Sequence, residues 1–146
     1  MSVHSVLTGS TVWPADLVTA AVVTAAARVY AGRAPQKVVA TDTEVWLERL
    51  PVREEGRGLQ AVSLHPYNVH VRKAQNRGGN QAGSEQLTTV EAHMRTIAAR
   101  YNGARPFYAS LATMIACEAS EESVDRDPED EMILDGVVRV TFAVKG

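Results

Sequence analysis

Cysteine occurs once in this chain, at Cys117, so no internal disulfide can form and the fold has to hold by its core. That usage fits a reducing compartment. Long apolar runs are missing too: the nearest candidate, Ala15 to Ala31, carries Asp16, threonines and Arg28 and few large apolar side chains, and falls short of the roughly 20 residues a bilayer span requires. A membrane span is therefore not expected. Positive charge is not in excess, with 15 Lys and Arg against 17 Asp and Glu, so the cationic footprint of a nucleic-acid binder is lacking. Met1 to Ser10 contains His4 but no Lys, Arg or apolar core, which argues against a secretory signal and for a cytoplasmic location.

What is present is ordinary globular composition. At 146 residues, 45% hydrophobic and 22% charged, the chain has the length of one domain and can bury a sizeable core. A first helix is expected from Pro14 to about Tyr30, with Pro14 in its first turn, Asp16 complementing its dipole, and Gly32 and Pro35 stopping it. Glu44 to Val52 reads as a strand, Glu54 to Gly58 as an exposed turn, and a second arm starts near Leu59. In that arm Tyr67, Val69 and Val71 alternate with Asn68, His70 and Arg72, while Pro66 marks a bend, an edge or a break. Gln75 to Ser84, with three glycines and no periodicity, reads as a loop.

A second helix is expected to follow, with Leu87, Val90, Met94, Ile97, Ala98 and Tyr101 on one stripe. Thr88 and Glu91 can form a capping box, and Asn102-Gly103 a stop. Further strands are expected at Thr113 to Ala119 and Val137 to Val144, with an acidic loop between them. This order predicts a single α+β domain over residues 1–146, an antiparallel β-sheet of four to five strands packed by two α-helices.

No catalytic or cofactor constellation emerges. The glycines Gly78, Gly79 and Gly83 lack the spacing and the Lys-Ser/Thr of a phosphate loop. His4, His65, His70 and His93 contain no i, i+4 pair and no HExxH, and His65 and His70, five apart in extended chain, point to opposite faces. Cys117 sits in the apolar run Met114-Ile115-Ala116-Cys117 without an activating base, and no GxSxG occurs. The acidic run Glu118, Glu121, Glu122, Asp125, Asp127, Glu129, Asp130, Glu131 does not fit the calcium-loop pattern and reads as a solvated loop or an electrostatic rim. Neither an enzyme nor a bound cofactor or metal is expected. Basic residues concentrate between Arg49 and Arg105 and acidic ones in the last third, an asymmetry suited to a head-to-tail contact between copies. From charge and loops, the candidate interface residues are Arg72, Lys73, Arg77, Gly78 and Gly79 on the basic side, and Asp125, Asp127, Glu129 and Asp130 on the acidic side.

Over most of its length the chain resembles the small tail-terminator and head-to-tail joining proteins of long-tailed bacteriophages. The residues carrying this are the helix from Pro14, Val45-Trp46-Leu47-Glu48-Arg49-Leu50-Pro51, Tyr67-Asn68-Val69-His70-Val71-Arg72 and the helix from Leu87. The segment Val124-Asp125-Arg126-Asp127-Pro128-Glu129 leading into Leu134-Asp135-Gly136-Val137-Val138-Arg139-Val140-Thr141-Phe142 completes it. The resemblance implies a virion subunit without catalysis. Six copies would form a ring on the tail tube protein, stop tube growth and meet the head–tail connector proteins. A neck or head-completion protein is the close variant. A different class of reading is a small-molecule or peptide-binding module with a pocket near His65, Tyr67 and His93.

Overall fold

The structure, a computed structural model, describes residues 2–32, 43–58, 61–74, 82–103, 107, 110–126 and 133–145. Helix α1 spans Val3–Thr8, a helix not anticipated from sequence. The hydroxyl of Ser2 accepts from the Ser5 amide at 3.1 Å, which satisfies one of the donors left open at a helix start. Helix α2 occupies Trp13–Thr19, with Pro14 in its first turn and Asp16 near its positive end.

The expected helix from Pro14 to Tyr30 is thus corrected to a much shorter one. Its end is a Schellman motif: the Val22 amide donates to the Leu17 carbonyl and the Ala21 amide to that of Val18, both at 3.0 Å. Ala21 holds the left-handed position at φ 60°, where glycine is usual, so no glycine announced the stop. Val22, like Leu17, is then buried in the hydrophobic core. The β-branched run Val22-Val23-Thr24 favours leaving the helix. A 3₁₀ turn at Ala26–Arg28 leads into strand β1, Val29–Ala31.

Strands β2 (Glu44–Arg49), β3 (Arg53–Glu55), β4 (Val62–Ala74), β5 (Met114–Arg126) and β6 (Ile133–Lys145) complete a six-stranded sheet. The order is β1-β2-β4-β6-β5, with β3 beside the start of β4. The fold is α+β, and the sheet is mixed because β1 runs parallel to β2. Parallel pairing became available once the chain between α2 and β1 left the helix.

Pro66 lies inside a continuous central strand. Its carbonyl accepts from the Leu50 amide at 3.0 Å, so its nitrogen faces the same neighbour. Proline cannot return that bond, and the β2 ladder ends at Arg49, opposite Tyr67. Pairing resumes at Arg53 opposite Leu64, with one extra residue on the β2–β3 side. The break anticipated at Pro66 falls in the neighbouring strand.

Helix α3, Ala82–Tyr101, crosses β4, β5 and β6. Val90, Met94, Ile97 and Tyr101 are buried at helical spacing, but Leu87 is 37% exposed. Because α3 starts at Ala82, Thr88 stands inside it and the proposed capping box is not its start. Gly103, at φ 76°, ends the helix as expected and donates to the Cys117 carbonyl at 2.7 Å. Helices α1 to α3 line one side of the sheet, where Trp13 meets Tyr67 and Phe142 edge-on at 5.1 Å each. Asp16 anchors α2 to α3 through two 2.7 Å bonds from Arg100 and one of 2.6 Å from the Tyr101 hydroxyl. With Arg100 37% exposed, that ion pair contributes about 0–1 kcal/mol. Burial of Leu17, about 1.5–3 kcal/mol, is the larger anchor.

Candidate functional site

Strand alternation divides the chemistry of this chain between two faces. Val45, Leu47, Tyr67, Val69, Val71, Val138, Val140 and Phe142 face the helices and are fully buried. Glu44, Trp46, Glu48, Asn68, His70, Arg72, Asp135 and Arg139 belong to the opposite face. There a polar network crosses three strands. His70 sits between two carboxylates: its Nε2 lies 2.9 Å from Glu48 Oε1 and its Nδ1 3.0 Å from Asp135 Oδ1. Glu48 also accepts from the Asn68 amide nitrogen at 2.9 Å, and Arg139 donates to the Asn68 oxygen at 2.7 Å. Trp46 stacks on the His70 ring at 4.4 Å between centroids.

Both ring nitrogens of His70 meet carboxylate oxygens, an arrangement that favours the imidazolium form. Burial alone would lower its pKa, but the bonds and charges of Asp135 and Glu48 outweigh it and raise the value above 6.5. The His70 bond, followed by that from Asn68, in turn depresses Glu48. The network therefore holds its own charges in balance, and it lies on a sheet face to which none of the three helices contributes.

The interface residues expected from sequence are treated unevenly by the structure. Arg72 is only 6% exposed, lies beside Glu44 and Asp135 in the ladder, and is no free surface cation. Lys73, the next residue, is turned to the other face, so Arg72 and Lys73 do not form one patch. The correction follows from the two-residue period of a strand. Asp125 is exposed on β5, directly across from Asp135. Arg77, Gly78, Gly79, Asp127, Glu129 and Asp130 lie outside the described residues.

The acidic segment is also corrected in part. Residues Glu118 to Asp125, read as a loop, belong to β5, which continues to Arg126 with register shifts between Met114 and Ala116 and between Glu121 and Ser123. Among the described residues β5 pairs only with β6, so its outer edge is open. Glu118, Glu121, Glu122 and Asp125 are exposed along it. The hydroxyl of Ser120 donates to Glu122 at 3.1 Å. Charges and bulges of this kind are how an exposed strand avoids pairing with its own kind.

A second open end lies at the far side of the sheet. β1 stops at Ala31, opposite Leu47, so the outer side of β2 at Arg49 has no neighbour among the described residues. Arg49 is exposed and stands beside Tyr67, whose hydroxyl meets His4 Nδ1 at 2.9 Å. His65, two residues from Tyr67, is buried with neither ring nitrogen hydrogen-bonded. Burial and the Arg49 charge hold His4 and His65 below the usual histidine value. Burial pushes the Tyr67 hydroxyl up to about 12.

The pocket imagined around His65, Tyr67 and His93 is not assembled. His93 is carried by α3, where burial and then the charge of Lys73 lower its pKa. Lys73 stands eight positions along β4 from His65, so the histidines sit at opposite ends of that strand. Cys117 is buried, and its thiol is pushed up to about 12, far from an activated nucleophile. Among the described residues no group of three or more His, Cys, Asp or Glu is placed to hold a metal, and no helix is long and apolar enough to cross a membrane.

No protein-family model matches the chain, and no curated protein matches it. Nineteen chains of solved structures do match. One of them comes from a structure titled "Virion of native gene transfer agent (GTA) particle", with a TM-score of 0.55 and 14% sequence identity. The likeness covers 89% of this chain and 84% of that one. At such an identity what the two share is a fold, extending over nearly the whole of both chains.

Proposed function

We propose that this chain is a structural protein of a phage-like virion, with no catalytic role. The observation that carries the reading is the near-full-length likeness to a chain from a gene transfer agent particle. Within that class we assign it to the tail terminators: six copies close a ring on the last layer of the tail tube protein and present a surface to the head–tail connector proteins. The protein would be assembled in the host cytoplasm and reside at the tail or neck of the particle. Among the described residues, an open sheet edge at each side and a polar sheet face without helices suit a part that works by contact.

The test is electron microscopy of lysates from particles whose gene for this chain is silenced. Abnormally long, headless tails support the terminator role. Filled heads beside tails of normal length transfer the protein to the neck. Ordinary infectious particles overturn both and return attention to a ligand-binding module.

A further inference from the structure

One row of the sheet runs unbroken from edge to edge. Arg49 of β2 pairs with Tyr67 of β4, Tyr67 with Val140 of β6, and Val140 with Ala119 of β5. Three interstrand steps separate its ends by about 14 Å. Both ends are open among the described residues: beyond Arg49 because β1 has stopped, beyond Ala119 because β5 is the last strand. The two ends carry opposite charge. Arg49 is an exposed cation whose side chain forms no hydrogen bond or ion pair among the described residues, and the same holds for the exposed carboxylate of Glu121, which shares the face of Ala119, whereas Glu118, one position from Ala119, is turned to the other face.

We propose that copies of this chain join edge to edge along this row, the β5 edge at Glu121 of one copy meeting the β2 end at Arg49 of the next. The inference rests on the ring reading above and names the contact that closes the ring. A second copy is the occupant because each end supplies what the other lacks among the described residues: a cation without an ion-pair partner and a carboxylate without one. Pairing of β5 with another β5 is opposed by the like charge of Glu118, Glu121, Glu122 and Asp125. The contact is therefore heterologous, each copy using two different surfaces, as a ring of more than two members requires. It also replaces Arg72 as the basic half of the interface, since Arg72 is buried, with the exposed Arg49.

The experiment uses the full chain and two charge reversals, Arg49→Glu and Glu121→Lys, both at exposed positions. Mass is read by light scattering behind size exclusion, and far-UV circular dichroism confirms that each variant folds. Wild type is expected to run as a ring and each reversal as a monomer. Mixing the two variants in equal amounts restores the ring, because in an even-numbered ring the variants alternate: one junction type is native and the other has both charges exchanged. A ring from Arg49→Glu alone, or no ring on mixing, overturns the contact while leaving the ring intact as a reading. A wild-type chain that stays monomeric at all concentrations removes the ring reading itself, and this contact with it.

Discussion

Replacing Gly136 by alanine tests how closely α3 lies on the sheet. An added Cβ would come within 2.6 Å of Met94 Sδ, 2.7 Å of Val90 Cγ1 and 3.2 Å of Met94 Cγ. Carbon contacts are optimal at about 3.5–4.0 Å, so two atoms have to move by about 1 Å. Met94 can do so, since its thioether turns about three bonds. Val90 cannot, because a β-branched side chain in a helix has one strongly preferred rotamer. The helix itself must lift, loosening the buried contacts of Val90, Met94 and Ile97. Overpacking of this kind costs about 1–3 kcal/mol. In a chain of this length that lowers the thermal midpoint by about 2–4 °C per kcal/mol.

Urea unfolding of Gly136→Ala, Val90→Ala and the double variant gives the decisive comparison. Val90→Ala alone removes two methyl groups from the core and costs about 1.5–3 kcal/mol. In the double variant the new methyl enters the space those groups left, so the two costs combine to less than their sum by about 0.5–3 kcal/mol. A Gly136→Ala protein that unfolds at the wild-type midpoint, or costs that simply add, would refute the account of the helix–sheet approach.

Two further outcomes are expected. Ala21→Gly relieves the left-handed strain at φ 60° that ends α2, and is expected to stabilise the fold by about 0.5–1 kcal/mol in the same urea assay; equal or lower stability would place no strain there. His70, raised by its two carboxylates, contributes stability that is fully present below 6.5 and is lost as pH rises through its folded value. NMR titration of the His70 ring is expected to show a midpoint above 6.5 that falls in Asp135→Asn, and a wild-type midpoint at or below 6.5 contradicts the assignment.

Much of this architecture was legible because one face of the sheet is covered and the other is not. Tyr67, Val69 and Val71 alternate with Asn68, His70 and Arg72, and the helix contacts of α3 recur at Val90, Met94, Ile97 and Tyr101. What escaped has physical causes. The second half of β5 is exposed apart from the half-buried Val124, so it shows no two-residue period and read as an acidic loop. The stop of α2 rests on an alanine in glycine's place, and α1 is too short for a periodic signal. Alternation placed His70 opposite His65, but Glu48, His70 and Asp135 come from three strands, and only the pairing register joins them. The same holds for Arg49 and Ala119, whose shared row cannot be read from their positions in the chain.

The interruption opposite Pro66 also bears on how the chain finds its alignment. Three residues, Val45 and Leu47 on β2 and Val69 on β4, must arrive on the helix side together, and a shift of β2 by one position would turn its two to the other side. Proline punishes that error: only where β2 ends at Arg49 does its missing donor face a stretch that has already left the ladder. Pro66 thus serves as a stop against which β2 is measured. It converts an absent hydrogen bond into fidelity of assembly for the half of the sheet that carries His70 and its two acids.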